Sequence, residues 1–226
     1  MGEGVSFMVG TNAVQIPAGV VRLEGNLDIP PGAEAVVIFA HGSGSSRFSP
    51  RNRYVASVLQ EAGLATLLFD LLTEEEAQDR TLVFDIDLLA QRLMTATNWL
   101  REQTLPAPMA TGYFGASTGA AAALQAAAEL GPAIGAVVSR GGRPDLAEAY
   151  LARVVAPTLL IVGELDWQVL ELNRAALALL NTEKELAVVP GATHLFEEPG
   201  ALEQVAQLAS NWFKRYLTGA EEVTSR

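Results

Sequence analysis

The stretch G-Y-F-G-A-S-T-G-A-A-A-A-L, residues 112–124, decides how the chain is read. An apolar run ending at Phe114 passes into Gly115-Ala116-Ser117-Thr118-Gly119, and an alanine-rich segment, residues 120–130, follows with helical character. Strand, sharp turn and helix in that order are the setting in which G-x-S-x-G works as a nucleophile elbow. The turn lifts the Ser117 hydroxyl above a sheet, and side chains at Gly115 and Gly119 would collide with neighbouring backbone. The helix that follows aims oriented amides at the reaction centre, where they favour developing negative charge. Taken alone the pentapeptide also fits a serine cap on an ordinary strand–helix unit. The rest of the chain has to decide.

On both sides of this stretch the same grammar repeats. Short continuous apolar runs occupy residues 35–40, 65–70, 134–138, 158–162 and 186–189, as expected of strands buried on both faces. Between them, Val55, Val58, Leu59 and Ala62 share a helical face, with Gly63 as a stop. Ile86, Leu89, Leu93, Ala96 and Leu100 share another, and Leu202, Val205, Ala209, Trp212 and Tyr216 a third. Alternating strands and helices predict an α/β fold with a mainly parallel sheet and right-handed crossovers. Before it, Val21, Leu23, Gly25 and Leu27 alternate as a half-buried edge strand, antiparallel, ended by Pro30-Pro31-Gly32. No repeat or linker divides residues 1–226, so one domain is expected. The acidic segment at residues 71–81 reads as a solvated loop or helix start, or as part of a site's rim.

Composition narrows the chemistry. Fifteen basic against twenty-six acidic residues give a net charge of −11, which repels a phosphate backbone, so no nucleic acid and no anionic membrane surface is expected as a partner. Cysteine is absent, which removes disulfides, thiolate metal sites and a cysteine nucleophile. Residues 1–10 lack a basic segment followed by a long apolar run, so they do not read as a signal peptide, and a cytoplasmic protein is expected.

Serine needs a base. The chain has two histidines. His194, in Gly191-Ala192-Thr193-His194, follows a predicted strand at the end where open α/β sheets bind ligands. Where an elbow of this kind is used, the acid falls between serine and histidine. Asp166 of Gly163-Glu164-Leu165-Asp166 is the choice, with Glu164 and Asp145 as rivals. His41 opens the glycine-rich loop His41-Gly42-Ser43-Gly44-Ser45-Ser46-Arg47, whose amides can complete an oxyanion hole with that of Thr118; Ser43 is taken as the second donor. The loop lacks the lysine of a nucleotide-binding P-loop, and His41 reads as its support. Only residues 139–157 separate one strand from the next, too few for an inserted lid, so an open site is expected. Trp167, Leu195 and Phe196 flank acid and base, as an apolar acyl pocket or as packing. Arg47, Arg51, Arg53, Arg140 and Arg143 cluster in two loops. If Arg47 and Arg140 converge on the site, they would bind a carboxylate or phosphate of the substrate; otherwise they pair with acids such as Asp70 or Asp145.

With these residues in place the chain resembles the α/β-hydrolase superfamily, and within it the compact dienelactone hydrolase-like branch. The resemblance rests on H-G-S-G-S-S-R with the S-P-R-N-R-Y-V-A after it, on G-A-S-T-G, S-R-G-G-R-P-D, G-E-L-D and G-A-T-H-L-F. It implies an α/β-hydrolase fold with a mostly parallel sheet of about eight strands flanked by helices. It also implies no cofactor and hydrolysis of small esters or lactones through an acyl-enzyme. No metal is expected at the site, and nothing in the sequence specifies an oligomer. Dienelactone hydrolases proper use a cysteine nucleophile, and Ser117 stands there instead, so dienelactone itself does not carry over as substrate. A serine peptidase, an acyltransferase or a non-catalytic binding protein on the same fold are the alternatives.

Overall fold

The computed structural model describes residues 6–219. The reading of the N-terminus as lacking a signal peptide therefore falls partly on residues 1–5, outside the described ones. Eight strands form one sheet: β1 Gly10–Ala18, β2 Val21–Ile29, β3 Ala35–Ala40, β4 Ala65–Phe69, β5 Ala110–Ala116, β6 Ala136–Arg140, β7 Thr158–Gly163 and β8 Lys184–Val189. Their order across the sheet is β1-β2-β4-β3-β5-β6-β7-β8. β1 and β2 are antiparallel, β2 runs antiparallel to β4, and every pairing beyond is parallel. The strand read from Val21 onward is thus interior, and the edge is β1. Its sequence buries only Val14 and Ile16, and Pro17 sits near its end, so its alternation was too sparse to announce a strand.

The parallel strands are buried along their whole length because helices cover both faces. On one face lie α3 Ile86–Arg101 and α4 Thr118–Leu130; on the other lie α1 Pro50–Glu61 and α7 Ala201–Phe213. Short α2 Arg80–Val83 and α5 Glu148–Leu151 complete the set with α6 Trp167–Leu179. Helix α6 was not singled out from sequence; its buried stripe of Val169, Leu170 and Ala176 is broken by a buried Asn173, which hid the periodicity. Helix α4 is buried from Thr118 to Ala128 without a polar face. A helix so enclosed is almost wholly apolar, its buried Gln125 donating to Asp87 at 2.7 Å, and alanine lets α3 and the sheet approach it closely.

The strand register divides the core. Val137 points into the α3/α4 layer, and Ala136 and Val138 into the α1/α7 layer, so Arg140 continues β6 on the α1/α7 side. Phe39 and Phe114 meet in that second layer with ring centroids 4.9 Å apart. Burial of each such ring stabilises the fold by about 1.5–3 kcal/mol.

His41 fastens two strand ends together. Leu71 donates its N–H to His41 Nε2 at 3.1 Å, so Nε2 carries the lone pair and Nδ1–H donates to the Gly42 carbonyl at 3.0 Å. Loss of hydration in this half-buried place lowers the imidazole pKa, against upward pulls from the Gly42 carbonyl and the Asp70 charge. The folded state thus binds its proton less readily than the unfolded chain. His41 accordingly contributes stability that is present above the ordinary imidazole pKa of about 6.5 and lost as pH falls below it, with a slope of at most about 1.4 kcal/mol per pH unit. Thermal melts between pH 8 and pH 5 should show that segment of the slope in wild type and lack it in His41→Gln; identical pH profiles would mean that His41 does not titrate with unfolding.

Candidate active site

The elbow is built by steric exclusion. Ser117 sits at φ 52°, ψ −121°, a conformation that non-glycine residues rarely adopt, and caps the N-terminus of α4. The flanking glycines allow it. A Cβ on Gly115 would lie 2.4 Å from the Ala120 Cα, and one on Gly119 would lie 2.2 Å from the Ala40 carbonyl oxygen. The turn is held from the side as well: Ser117 N–H donates to the Arg140 carbonyl at 3.2 Å, and Arg143 N–H donates to the Ser117 carbonyl at 3.1 Å.

Asp166 and His194 come from neighbouring strands. The loops after β7 and β8 are laced together by Glu164 N–H to the Val189 carbonyl at 3.0 Å and Leu165 N–H to the Ala192 carbonyl at 2.9 Å. The result is a 2.6 Å bond between His194 Nδ1 and Asp166 Oδ2. A nitrogen facing a carboxylate acts as the donor, so Nε2 holds the lone pair. The rival acids are engaged elsewhere. Glu164 accepts from Gly191 N–H at 2.8 Å, and Asp145 is gripped by both arms of Arg143 at 2.8 and 2.7 Å. Among the described residues no hydrogen bond joins Ser117 Oγ to His194; such bonds often tighten only when substrate arrives.

The loop after β3 passes over the serine, so that a Cβ on Gly42 would stand 3.0 Å from the Ser117 Cβ. Ser43 and Thr118 do come together, but in a way the sequence did not suggest: Ser43 N–H donates to Thr118 Oγ1 at 2.9 Å. The Ser43 amide is thereby oriented, with a neutral acceptor that an oxyanion can displace. Beside this loop opens a cavity of about 750 Å³, walled by Gly42, Ser43, Asp70, Leu72 and Gln78 among others. Its walls include His41 of the same loop but not Ser117 or His194. The segment after β4, read from sequence as a solvated loop or helix start or as a rim, contributes Leu72, Glu74 and Gln78 to its wall.

The four residues named for substrate separate. Trp167 is 72% exposed and, with exposed Leu165 and Leu195, makes an open apolar apron beside Asp166 and His194. Phe196 is 2% exposed and packs in the α1/α7 layer, so it is a core residue. Arg47 lines the cavity beside the glycine-rich loop, and its charge is matched within the fold. Its guanidinium is clamped between Asp70 and, at 2.6 Å, Glu24, while its backbone N–H donates to Asp70 at 2.7 Å. Arg140 is 7% exposed and forms no ion pair among the described residues. Among the described residues no three or more His, Asp or Glu side chains are grouped as metal ligands, and no helix is long and apolar enough to cross a membrane.

Comparison with known proteins places this geometry. The model of the dienelactone hydrolase family matches residues 23–218. A dienelactone hydrolase from Anabaena variabilis has 60% sequence identity and a TM-score of 0.87, over 92% of this chain and 98% of that one. A protein of Mycobacterium tuberculosis described as a "Putative phosphoribosyl transferase" is 61% identical over 206 residues, 91% of this chain but 46% of that protein. The chain therefore spans less than half the length of the curated relatives it matches. An α/β serine hydrolase without lid from Xanthomonas campestris, 22% identical, shares the fold with a TM-score of 0.76 over 96% of this chain and 99% of that one. With the family's match running through all but the first strand and a close relative aligned along nearly its full length, the chain belongs to the dienelactone hydrolase family and has the α/β-hydrolase fold.

Proposed function

We propose that the protein is a cytoplasmic, single-domain serine hydrolase that cleaves small carboxylic esters or lactones through an acyl-enzyme. The observation that carries this reading is the 2.6 Å bond from His194 Nδ1 to Asp166 Oδ2, on the same sheet edge as a serine held in an elbow. Ser117 Oγ attacks the carbonyl carbon while His194 Nε2 takes its proton, and Asp166 holds the ring and stabilises the imidazolium. The carbonyl oxygen becomes an oxyanion that accepts from the Thr118 amide at the start of α4 and from the Ser43 amide, which leaves the Thr118 hydroxyl to do so. As the C–O bond breaks, His194 returns the proton to the leaving alkoxide. A water, deprotonated by the same nitrogen, then attacks the acyl-enzyme, and the carboxylic acid departs with Ser117 restored. No cofactor takes part in these steps.

Three outcomes follow from the roles assigned. A fluorophosphonate probe should label wild type and leave Ser117→Ala unlabelled, and Ser117→Ala or His194→Ala should lower kcat by about 10⁴–10⁶ on p-nitrophenyl acetate. Labelling that survives in Ser117→Ala would place the nucleophile elsewhere. Asp166→Asn should lower kcat by about 10⁴ because it favours the wrong tautomer, with an unchanged melting temperature; a comparable loss in Glu164→Gln and none in Asp166→Asn would reverse the assignment. Finally, residues 141–157 carry only a 3₁₀ turn, Pro144–Ala147, and α5, which leaves the apron of Trp167 and Leu195 uncovered. Rates on p-nitrophenyl esters should fall as the acyl chain grows from two to twelve carbons, and a jump in rate above the solubility limit of a long ester would contradict a lidless site.

A further inference from the structure

Of the arginines in these two loops, Arg53 is exposed, and Arg140 is the buried one without a carboxylate. Arg47 and Arg143 each hold a carboxylate, and Arg51 reaches the exposed Glu197 through one nitrogen at 3.3 Å. Arg140 buries Nε and Nη1 with no hydrogen-bond partner. The Phe196 ring centre lies 6.0 Å from its guanidinium carbon, which is a weak substitute for an anion. The charge that acts on it is another cation, Arg51, whose own Nε is buried without a partner. Burial first, and that repulsion second, lower the Arg140 pKa to about 10, which leaves it protonated at neutral pH.

Helix α1 adds a third positive element. Its twelve residues begin just after the Ser49 cap, its first turn contains no acidic residue, and Arg51 occupies that turn. A cation there opposes the helix dipole, which favours anions at an N-terminus. Asn52, one residue further, buries an amide oxygen without a partner, an acceptor for a ligand hydroxyl or its bound water. All of this lies on the α1/α7 side of β6, next to the elbow: Arg140 is paired across the sheet with Ala116, the residue before Ser117.

We propose that Arg140, Arg51 and the amino end of α1 form a receptor for a phosphate group on the substrate. The proposal rests on the ester or lactone hydrolase reading and adds the chemical class of what is hydrolysed. Two guanidiniums and a helix terminus confine more positive charge than one carboxylate neutralises, whereas a phosphate monoester brings close to two negative charges and three acceptor oxygens. Adjacent strands lie about 4.8 Å apart, and Ser117 N–H donates to the Arg140 carbonyl, so the two residues are backbone neighbours. Arg47, with its carboxylates already in place, has no part in it.

Inorganic phosphate is the probe, and the Ser117→Ala protein is the host, so that binding is read without chemistry. At constant ionic strength, phosphate should raise the melting temperature in a saturable way and bind one to one by calorimetry, with acetate distinctly weaker. Arg51→Gln should weaken phosphate about tenfold. Arg140→Met should abolish the response while keeping or raising the melting temperature in phosphate-free buffer, because an unpaired buried charge is replaced by an apolar chain. A structural arginine would instead melt lower on substitution. Phosphate binding that persists in Arg140→Met, an equal response to acetate, or no response at all would each overturn the proposal. In the active enzyme, an ester whose acyl chain ends in phosphate should have a lower KM than its hydroxyl analogue, with Arg140→Met raising only the former. Equal increases in both would separate the site from the substrate. Phosphate binding in a protein that hydrolyses neither ester supports the receptor and removes the reaction.

Discussion

The carbonyls of Ala40 and His41 press against Gly119, so that any side chain there would meet them at 2.2 and 2.4 Å. That contact welds the exit of β3 to the first turn of α4. Ser43 N–H to Thr118 Oγ1 and His41 to Leu71 fasten the same loop twice more. Serine and proposed oxyanion donors therefore move as one body. Ser117 pays for this in backbone strain of about 1–3 kcal/mol, and such strain persists only where the surroundings over-determine it. They do so here: β5 lies between β3 and β6 at the centre of the sheet, and α4 is enclosed on every side.

Parallel pairing does the rest. Because β3, β5, β6, β7 and β8 all run the same way, their carboxyl ends lie along one edge, and residues 42, 117, 140, 166 and 194 meet there despite their distance in the chain. The edge then needs only local stitching. Glu164 illustrates it: a rival acid by position, it fixes Gly191 N–H and so steadies the loop that presents His194.

What the sequence showed follows from range. The buried strands and the elbow depend on local spacing, and each is legible in a few residues. The 2.6 Å partner of His194 is legible only through chain order, because the acid lies 28 residues away. Features set by distant contacts were out of reach. Phe196, two residues past His194, takes φ 54° and turns into the core, which nothing local announces. The sequence points to the Thr118 amide, and its hydroxyl's hold on the Ser43 amide, 75 residues distant, leaves no trace in it. The interior place of β2 likewise depended on β1, whose two buried apolar residues were too few to betray it.

The two arginines first grouped together make the same point energetically. Arg47 and Arg140 both end up at strand exits, and by residue type they are equivalent. Arg47 stands where β2 and β4 deliver Glu24 and Asp70, so its charge is neutralised within the fold and stabilises the joint between them. Arg140 stands over a layer of Ala136, Val138 and Phe196, where the fold delivers no carboxylate. A buried ion without a partner opposes folding by several kcal/mol, a large share of a domain's net stability. An apolar side chain would fill that place at lower free energy. A protein with eleven more acidic than basic residues has no shortage of carboxylates with which to pair it. The unmatched charge beside the proposed nucleophile is therefore better understood as half of an ion pair whose other half arrives with the ligand.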